Sequence, residues 1–247
     1  MTTQHDAATQ PATAAQPAAP VARQLVSFQF YRLDPAWRRL PADQRQRHAA
    51  AFDTLITRHR QHLMIFTYSL IGMKAGVDCL VWCVGKDLEA IQALATDIAG
   101  STLGSHLSTP HSFLSMTKRS TYIDKYDPTH TDRRLYIVPA QSKYLFVYPF
   151  VKTRAWYLLP LEERQRLMDE HIRIGMKYLS VKLHTTYSFG LDDQEFVVAF
   201  ETDSAQDFLD LVQELREAQA SPYTLRDTPI FTCVRTPLSR LLQDLGG

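Results

Sequence analysis

Cysteine is scarce in this chain of 247 residues: Cys79, Cys83 and Cys233 are its three cysteines. An odd, small number without a C-x-x-C spacing excludes a disulfide framework and predicts buried free thiols in a reducing compartment. We therefore expect a cytoplasmic protein. Cys79 and Cys83 lie four residues apart in an alternating apolar run, which predicts that both point to one face of a β-strand.

Long apolar runs and excess charge are also absent. No stretch approaches the roughly 18 apolar residues that a membrane span needs, so we expect none. The formal net charge of +1 gives no support to nucleic acid or an anionic membrane as the main partner. Residues 1–23 are mostly Ala, Thr, Gln and Pro. They show no secretory signal or transit peptide and are predicted to form a disordered tail.

In the rest of the chain, the same order of predicted strands and helices occurs twice. Hydrophobic periodicity predicts the order β-α-β-β-α-β in residues 24–117 and again in residues 143–247. This order is that of the ferredoxin-like fold, and its repetition indicates an internal duplication. We predict an α+β protein whose two ferredoxin-like units form a dimeric-type α/β barrel, with residues 118–142 as the connecting segment. The predicted strands are 25–32, 63–71, 77–84, 111–116, 143–151, 182–189, 195–201 and 230–234, and the predicted helices are 41–62, 87–99, 161–179 and 208–217.

The helix predicted over residues 161–179 carries a histidine on an apolar face. Such a histidine is more often a packed core residue than a ligand, so the face alone does not establish a metal site. Gly175 costs roughly 1 kcal/mol of helix propensity relative to alanine, and it leaves room for a flat molecule to approach. The residues that recur at three- and four-residue steps are Leu161, Met168, His171, Ile172, Gly175, Tyr178 and Leu179.

Polar and aromatic residues gather around this helix in the sequence. Tyr148 and Lys152 lie four apart on one predicted strand and therefore share a face. Guanidinium groups donate paired hydrogen bonds to carboxylates, so the set suits a flat hydrophobic molecule with acidic edges. Each cation taken alone is better explained as a solvated surface charge. The other members of the set are Arg134, Trp156, Tyr157, Arg216 and Ser221.

Five motifs together resemble the chlorite dismutase superfamily, and the coproheme decarboxylase branch fits best. They are Tyr-Pro-Phe-Val-Lys at 148–152, Trp-Tyr-Leu-Leu-Pro at 156–160, Glu-Glu-Arg at 162–164, His171 followed by Gly175 and Tyr178, and Gly-Leu-Asp-Asp-Gln-Glu-Phe at 190–196. The resemblance is strong from about residue 134 to residue 234. Before residue 134, only the order of strands and helices fits.

The resemblance implies a site and a reaction. His171 is expected to ligate a haem-type iron, and Tyr148 to form a radical during decarboxylation. Iron-coproporphyrin III would be converted to haem b by hydrogen peroxide, with two propionates becoming vinyl groups and two carbon dioxide molecules leaving. A homo-oligomer, in this family often a pentamer, is also implied. Matches to porphyrin-binding positions are Arg134, Lys152, Arg216 and Ser221, with Trp156 near the haem.

Two departures from the family pattern affect the expected activity. Chlorite dismutases carry an arginine on the strand after the proximal histidine, whereas this chain has Leu183 or His184 there, depending on the gap. This argues against chlorite dismutation and leaves Leu183, His184 and His130 as candidates for the distal side. Gln219 stands where relatives usually carry glutamate, which predicts weaker iron ligation by the proximal imidazole.

Four functions therefore remain open on the sequence. The leading hypothesis is a coproheme decarboxylase. The others are a haem peroxidase or vestigial chlorite dismutase, a haem-binding protein without catalysis, and a duplicated α/β barrel without a cofactor. The pair of Tyr148 and Lys152 favours the first over a peroxidase, while the Gln219 departure supports a binder.

Overall fold

The computed structural model describes residues 22–122 and 135–247. The strands are β1 (Leu25–Leu33), β2 (Met64–Ser69), β3 (Cys79–Gly85), β4 (Leu107–Met116), β5 (Tyr144–Lys152), β6 (Lys182–Tyr187), β7 (Phe196–Thr202), β8 (Thr224–Arg226) and β9 (Phe231–Arg235). The helices are α1 (Ala42–His59), α2 (Leu88–Gly100), α3 (Arg154–Leu158), α4 (Leu161–Gly175), α5 (Ala205–Glu217) and α6 (Leu238–Asp244). Every predicted strand and helix is present, with shifted ends, whereas α3, α6 and β8 were not predicted.

The strands form an antiparallel sheet with the order β7-β6-β4-β1-β3-β2-β9-β5-β8, and β7 also pairs with β5. Tight turns connect the hairpins, with positive φ at Gly72 (77°), Gly76 (79°) and Gly190 (74°). Only glycine adopts such angles without steric cost, which explains why glycine occupies these turns. Together with the flanking helices, this sheet gives the predicted mixed α+β fold.

Buried side chains lie on both faces of the sheet. One face of β5 directs Leu145 and Val147 into a core that also contains Phe28, Trp82 and other residues from β1–β4. The opposite face packs under α4 and α5. A separate cluster beneath α1, α2 and α6 includes Cys79 and Cys83, which are buried free thiols on one face, as predicted. Both faces of the second half are therefore covered, and α4 and α5 shield the face that carries Tyr148.

The predicted inward face of the fourth helix needs correction. Leu161 and Leu179 are 54% and 87% exposed. Leu161 is the first residue of α4, and Leu179 lies beyond its end at Gly175, so neither follows the predicted face. The buried residues of α4 are Leu167, Ile172 and Ile174, of which only Ile172 was predicted.

Some predictions fall outside the described residues. Most of the predicted disordered tail, residues 1–21, lies there, as do Arg134 and His130 within residues 123–134. Among the residues that the structure describes, no helix is long and apolar enough to cross a membrane.

Candidate functional site

The face of β5 that packs under α4 and α5, called the outward face below, supplies the tyrosine of the candidate site. Alternation along the strand places Phe146, Tyr148 and Phe150 on this face, beneath α4 and α5. Tyr148 is buried, and its ring stacks on Phe200 with centroids 5.9 Å apart. Tyr148 also lies opposite Val198 of β7 in the strand register. The phenol ring is therefore held against β7.

Lys152 ends β5 in an aromatic environment. Its Nζ lies 4.5 Å from the centroid of the Trp156 ring and 5.3 Å from that of Phe150. The ammonium also donates a hydrogen bond of 3.3 Å to the carbonyl of Ala220. Burial lowers the pKa of Lys152 to about 8, against an opposing effect of Glu195. The ammonium can therefore exchange its proton near neutral pH.

The loop after α5 runs alongside this end of β5. A 3-10 turn begins at Ser221, whose N–H donates to the carbonyl of Ala218 at 2.9 Å. The Thr153 N–H donates to the carbonyl of Tyr223 at 2.8 Å. Since Ala220 accepts the Lys152 hydrogen bond, the structure brings the loop that carries Ser221 next to Lys152 and Trp156.

Arg216, at the end of α5, forms an ion pair of 2.6 Å with Asp227. Both charges act on Tyr148. Burial raises the pKa of the Tyr148 phenol well above its ordinary value, Asp227 raises it further, and Arg216 opposes them. The phenol stays protonated at neutral pH, and a cation and an anion lie close enough to influence it.

Helix α4 covers this region and carries the predicted iron ligand. His171 is partly buried. Ile174, one turn along, packs in the same cluster as Tyr148. A Cβ added at Gly175 would meet no atom within 4 Å. Arg164 lies two turns before His171 on the same side of the helix, and its Nε is buried without a hydrogen-bond partner among the described residues.

These features fit a porphyrin better than a metal ion held by protein ligands alone. Within residues 22–122 and 135–247, no group of three or more His, Cys, Asp or Glu side chains is placed to hold a metal. A single imidazole suffices as axial ligand when a porphyrin supplies the other bonds to iron. The open space at Gly175 and the unpaired cationic Nε of Arg164 suit a flat molecule with carboxylate edges.

The structure does not bring His184 together with the other predicted site residues. His184 lies on β6 with its side chain in the core on the opposite face of the sheet from Tyr148. Its ring is 5.7 Å from that of Trp82, and Nε2 is 2.8 Å from Oε2 of Glu201. The pleat instead places Leu183 beside Phe200, on the face that carries Tyr148.

Gln219 joins the loop after α5 to helix α4. Its side-chain oxygen accepts a hydrogen bond of 2.9 Å from Arg166, and its N–H donates to Glu170 at 3.0 Å. Glu170 precedes His171 directly. Gln219 therefore anchors the segment of α4 that presents the imidazole.

Sequence reasoning missed three residues that the structure brings to this region, namely Asp227, Arg164 and Glu195. Asp227 holds Arg216, and Arg164 presents an unpaired Nε. Glu195 and Tyr157 form a hydrogen bond of 2.5 Å beside Lys152. Glu195 and Tyr157 both lay within recognised motifs, but no local pattern indicated their contact, which spans 38 positions.

Comparison with known proteins identifies relatives over most of the chain. The family model described as chlorite dismutase matches residues 45–236. The coproheme decarboxylase of Mycolicibacterium smegmatis is 30% identical over 179 residues, which cover 72% of this chain and 75% of that protein. The coproheme decarboxylase of Staphylococcus saprophyticus is 30% identical over 195 residues, covering 72% and 78%.

Solved structures give the same result for the fold. A variant of the chlorite dismutase from Candidatus Nitrospira defluvii superimposes with a TM-score of 0.84 at 26% identity, covering 91% of this chain and 95% of that one. A structure described as a heme-binding protein from Thermus thermophilus gives 0.81 at 25% identity, covering 91% and 95%. With the family model matching most of its length, the chain belongs to the chlorite dismutase family.

Proposed function

We propose that this protein is a coproheme decarboxylase, which uses hydrogen peroxide to convert iron-coproporphyrin III to haem b. The observation that carries the proposal is the pairing of a buried phenol, Tyr148, with a half-buried ammonium, Lys152, on one face of β5. The curated relatives named above, both coproheme decarboxylases, support the same choice. The reaction consumes one peroxide for each propionate: propionate, H2O2 and H+ give vinyl, CO2 and two H2O.

The substrate would bind between α4 and the outward face of β5 and β7. His171 would hold its iron, and the space at Gly175 would admit the ring. Bound iron coproporphyrin supplies the redox chemistry, with peroxide as oxidant. We assign carboxylate binding to Arg216, Ser221 and Lys152, with Arg134 as a further candidate from outside the described residues.

Tyr148 is suited to pass an electron and a proton together. Burial and Asp227 keep its O–H protonated, so oxidation of the ring releases a proton at the same oxygen. The aromatic cluster holds the ring in place, which favours a fixed distance to a propionate. We infer that Tyr148 takes the oxidising equivalent to the substrate side chain.

Lys152 would hold and move a proton at Nζ. Its half-buried ammonium lies over the Trp156 ring, where a substrate carboxylate would find a cation with less competing water than at an exposed position. Because its pKa lies at about 8, Lys152 can supply the proton that each turnover consumes. Trp156 fixes the ammonium by a cation–π contact.

The face of β6 that adjoins Tyr148 argues against chlorite dismutation. Thr185 of β6 lies opposite Val198 of β7, which in turn lies opposite Tyr148 of β5. Leu183 lies opposite Phe200, which in turn lies opposite Phe146. Neither Thr185 nor Leu183 supplies a positive charge. We propose Leu183 in place of His184 as the distal neighbour of the substrate.

We also propose that the chain consists of two ferredoxin-like units, residues 24–117 and 143–247, joined by residues 118–142. The support is that β4-β1-β3-β2 and β6-β7-β5-β9 repeat one pairing order. The pairings β4–β6 and β2–β9 connect the two halves. Assembly into a homo-oligomer is a further proposal, since it rests on the resemblance.

Adding ferric coproporphyrin III and then peroxide to the purified protein tests the function. We expect a Soret shift on binding, followed by haem b as the product in chromatography with mass detection. A shift without haem b would mark a haem-binding protein or peroxidase. No shift would indicate a protein without this cofactor.

A further inference from the structure

Glu195 is a nearly buried carboxylate just before β7, with its side chain 10% exposed. Its Oε2 accepts hydrogen bonds from the Lys152 N–H at 2.8 Å and from the Tyr157 O–H at 2.5 Å. Its Oε1 lies 3.7 Å from Nη1 of Arg154. All three partners belong to the junction between β5 and α3.

The backbone of Glu195 is fixed as firmly as its side chain. Its N–H donates to the carbonyl of Phe150 at 3.3 Å, and its carbonyl accepts from the Ser188 N–H at 2.8 Å. A buried carboxylate costs free energy unless donors replace its water. Here the donors come from residues 152 and 157, so the desolvated charge can be kept only while the junction retains its shape.

The same junction determines where the Lys152 ammonium lies. Its surroundings are the rings of Trp156 and Phe150 and the carbonyl of Ala220. In the described structure the charge that acts on Lys152 is that of Glu195, which raises the pKa of Lys152 and itself lies near Arg154. Burial opposes the charged form of Lys152, and Glu195 favours it.

We propose that Glu195 is a positioning residue that fixes the β5–α3 junction and places its negative charge at Lys152, whose ammonium lies over Trp156. The hydrogen bonds that Glu195 accepts from the Lys152 N–H and the Tyr157 O–H hold the junction in position. The negative charge of Glu195 favours the charged form of the Lys152 ammonium. The consequence for turnover rests on the function proposed above, whereas the effect on Lys152 does not.

Two variants separate charge from hydrogen bonding. Glu195→Gln keeps an acceptor oxygen of the same reach and removes the charge. Tyr157→Phe removes one donor and leaves the charge in place. Neither substitution changes the packing volume much, so both should fold, and circular dichroism will verify this.

The measurement is a pH titration of the full chain without porphyrin. It is monitored by the 13C chemical shift of the lysine ε-carbons, and Lys152→Met assigns the signal of Lys152. We expect the Lys152 midpoint to fall by about one pH unit in Glu195→Gln, since an anion that favoured the ammonium is lost. In Tyr157→Phe it should stay close to that of the parent. An unchanged midpoint in Glu195→Gln would overturn the proposal.

A second variant covers the case in which Glu195→Gln does not fold. Glu195→Asp keeps the charge but withdraws it by one methylene, so the Lys152 midpoint should fall by less than about one pH unit. A midpoint that rises in Glu195→Asp would contradict the electrostatic role.

Turnover provides the link to function. With ferric coproporphyrin and peroxide, the pH profile of haem b formation should move by the same interval as the Lys152 midpoint. If the profile stays fixed while the midpoint moves, the protonation state of Lys152 does not control the rate of haem b formation. If the parent makes no haem b, the proposed function fails, and the titration still decides the role of Glu195.

Discussion

The Nε2 atom of His184 lies 2.8 Å from Oε2 of Glu201, with side-chain exposures of 5% and 0%. The Glu201 carboxylate also accepts N–H hydrogen bonds from Ala140 at 2.6 Å and Gln141 at 2.9 Å. Burial by itself would raise the pKa of Glu201, but the His184 contact and the two N–H groups outweigh it and hold the pKa below its usual value. The carboxylate thus ties the segment before β5 to the interior of the sheet.

Removing the Glu201 carboxylate should destabilise the fold strongly. Glu201→Ala leaves His184 and two N–H groups without their acceptor, for an expected loss of about 3–5 kcal/mol in the free energy of unfolding. Urea unfolding followed by circular dichroism measures it. Asp43→Ala is the control, because the Asp43–Arg47 pair is exposed and its loss should change the free energy of unfolding little. A loss below about 1 kcal/mol in Glu201→Ala would refute the anchoring role.

The contribution of the Glu201 charge should depend on pH. The folded pKa lies below the unfolded value, so the stabilisation is present above the unfolded pKa and is lost as pH falls through the folded pKa. Compared with Glu201→Gln, the parent should therefore lose its advantage between neutral pH and the acid range below about 4.5. Unfolding free energies at several pH values test this, and a constant difference would contradict it.

Local patterns in the sequence were sufficient for the strands and hairpins. Alternation along residues 144–152 correctly placed Tyr148 and Lys152 on one face, and Gly72 and Gly190 marked turns that have positive φ. Helix α3 spans five residues, too few for a 3.6-residue period to be visible. The end of α4 at Gly175 was missed because apolar residues continue at helical spacing beyond it.

Contacts between distant segments limited the prediction of the site. Alternation in β6 separates Leu183 from His184 but does not tell which of them faces the core. The answer depends on the partner Glu201, which is 17 positions away. The donors to Glu195 lie 43 and 38 positions from it, so its role required the folded chain.

His171→Ala should abolish the spectrum of a histidine-ligated iron when ferric coproporphyrin III is added. Contacts of the ring with apolar and cationic residues should retain some affinity. The matched control is His184→Ala, which should keep the parental Soret band in whatever fraction remains folded, because His184 lies on the other face of the sheet. If His171→Ala retained the parental band, another residue would be the ligand.

Asp227→Asn should strengthen coproporphyrin binding. Asp227 holds Arg216 at 2.6 Å in a pair whose arginine side chain is 54% exposed, and a propionate must compete with it. An exposed ion pair is worth about 0.2–1 kcal/mol, so the affinity should rise by about 1.5- to 5-fold. Soret titration measures the Kd, with Asp244→Asn, in a remote pair with Arg240, as control. A weaker affinity in Asp227→Asn would show that Arg216 does not bind the substrate.

Tyr148→Phe should separate turnover from binding. The ring stacks on Phe200 and fills the cluster beneath α4, so removing only the hydroxyl oxygen leaves this packing in place. Loss of a hydrogen bond to a propionate would cost about 0.5–1.5 kcal/mol, or up to about 3 kcal/mol for a charged acceptor. Phenylalanine has no O–H to oxidise, so carbon dioxide release after peroxide addition should fall nearly to zero. Tyr144→Phe, on the same strand and face, should retain turnover. If Tyr148→Phe made haem b at the parental rate, Tyr148 would be excluded from the reaction.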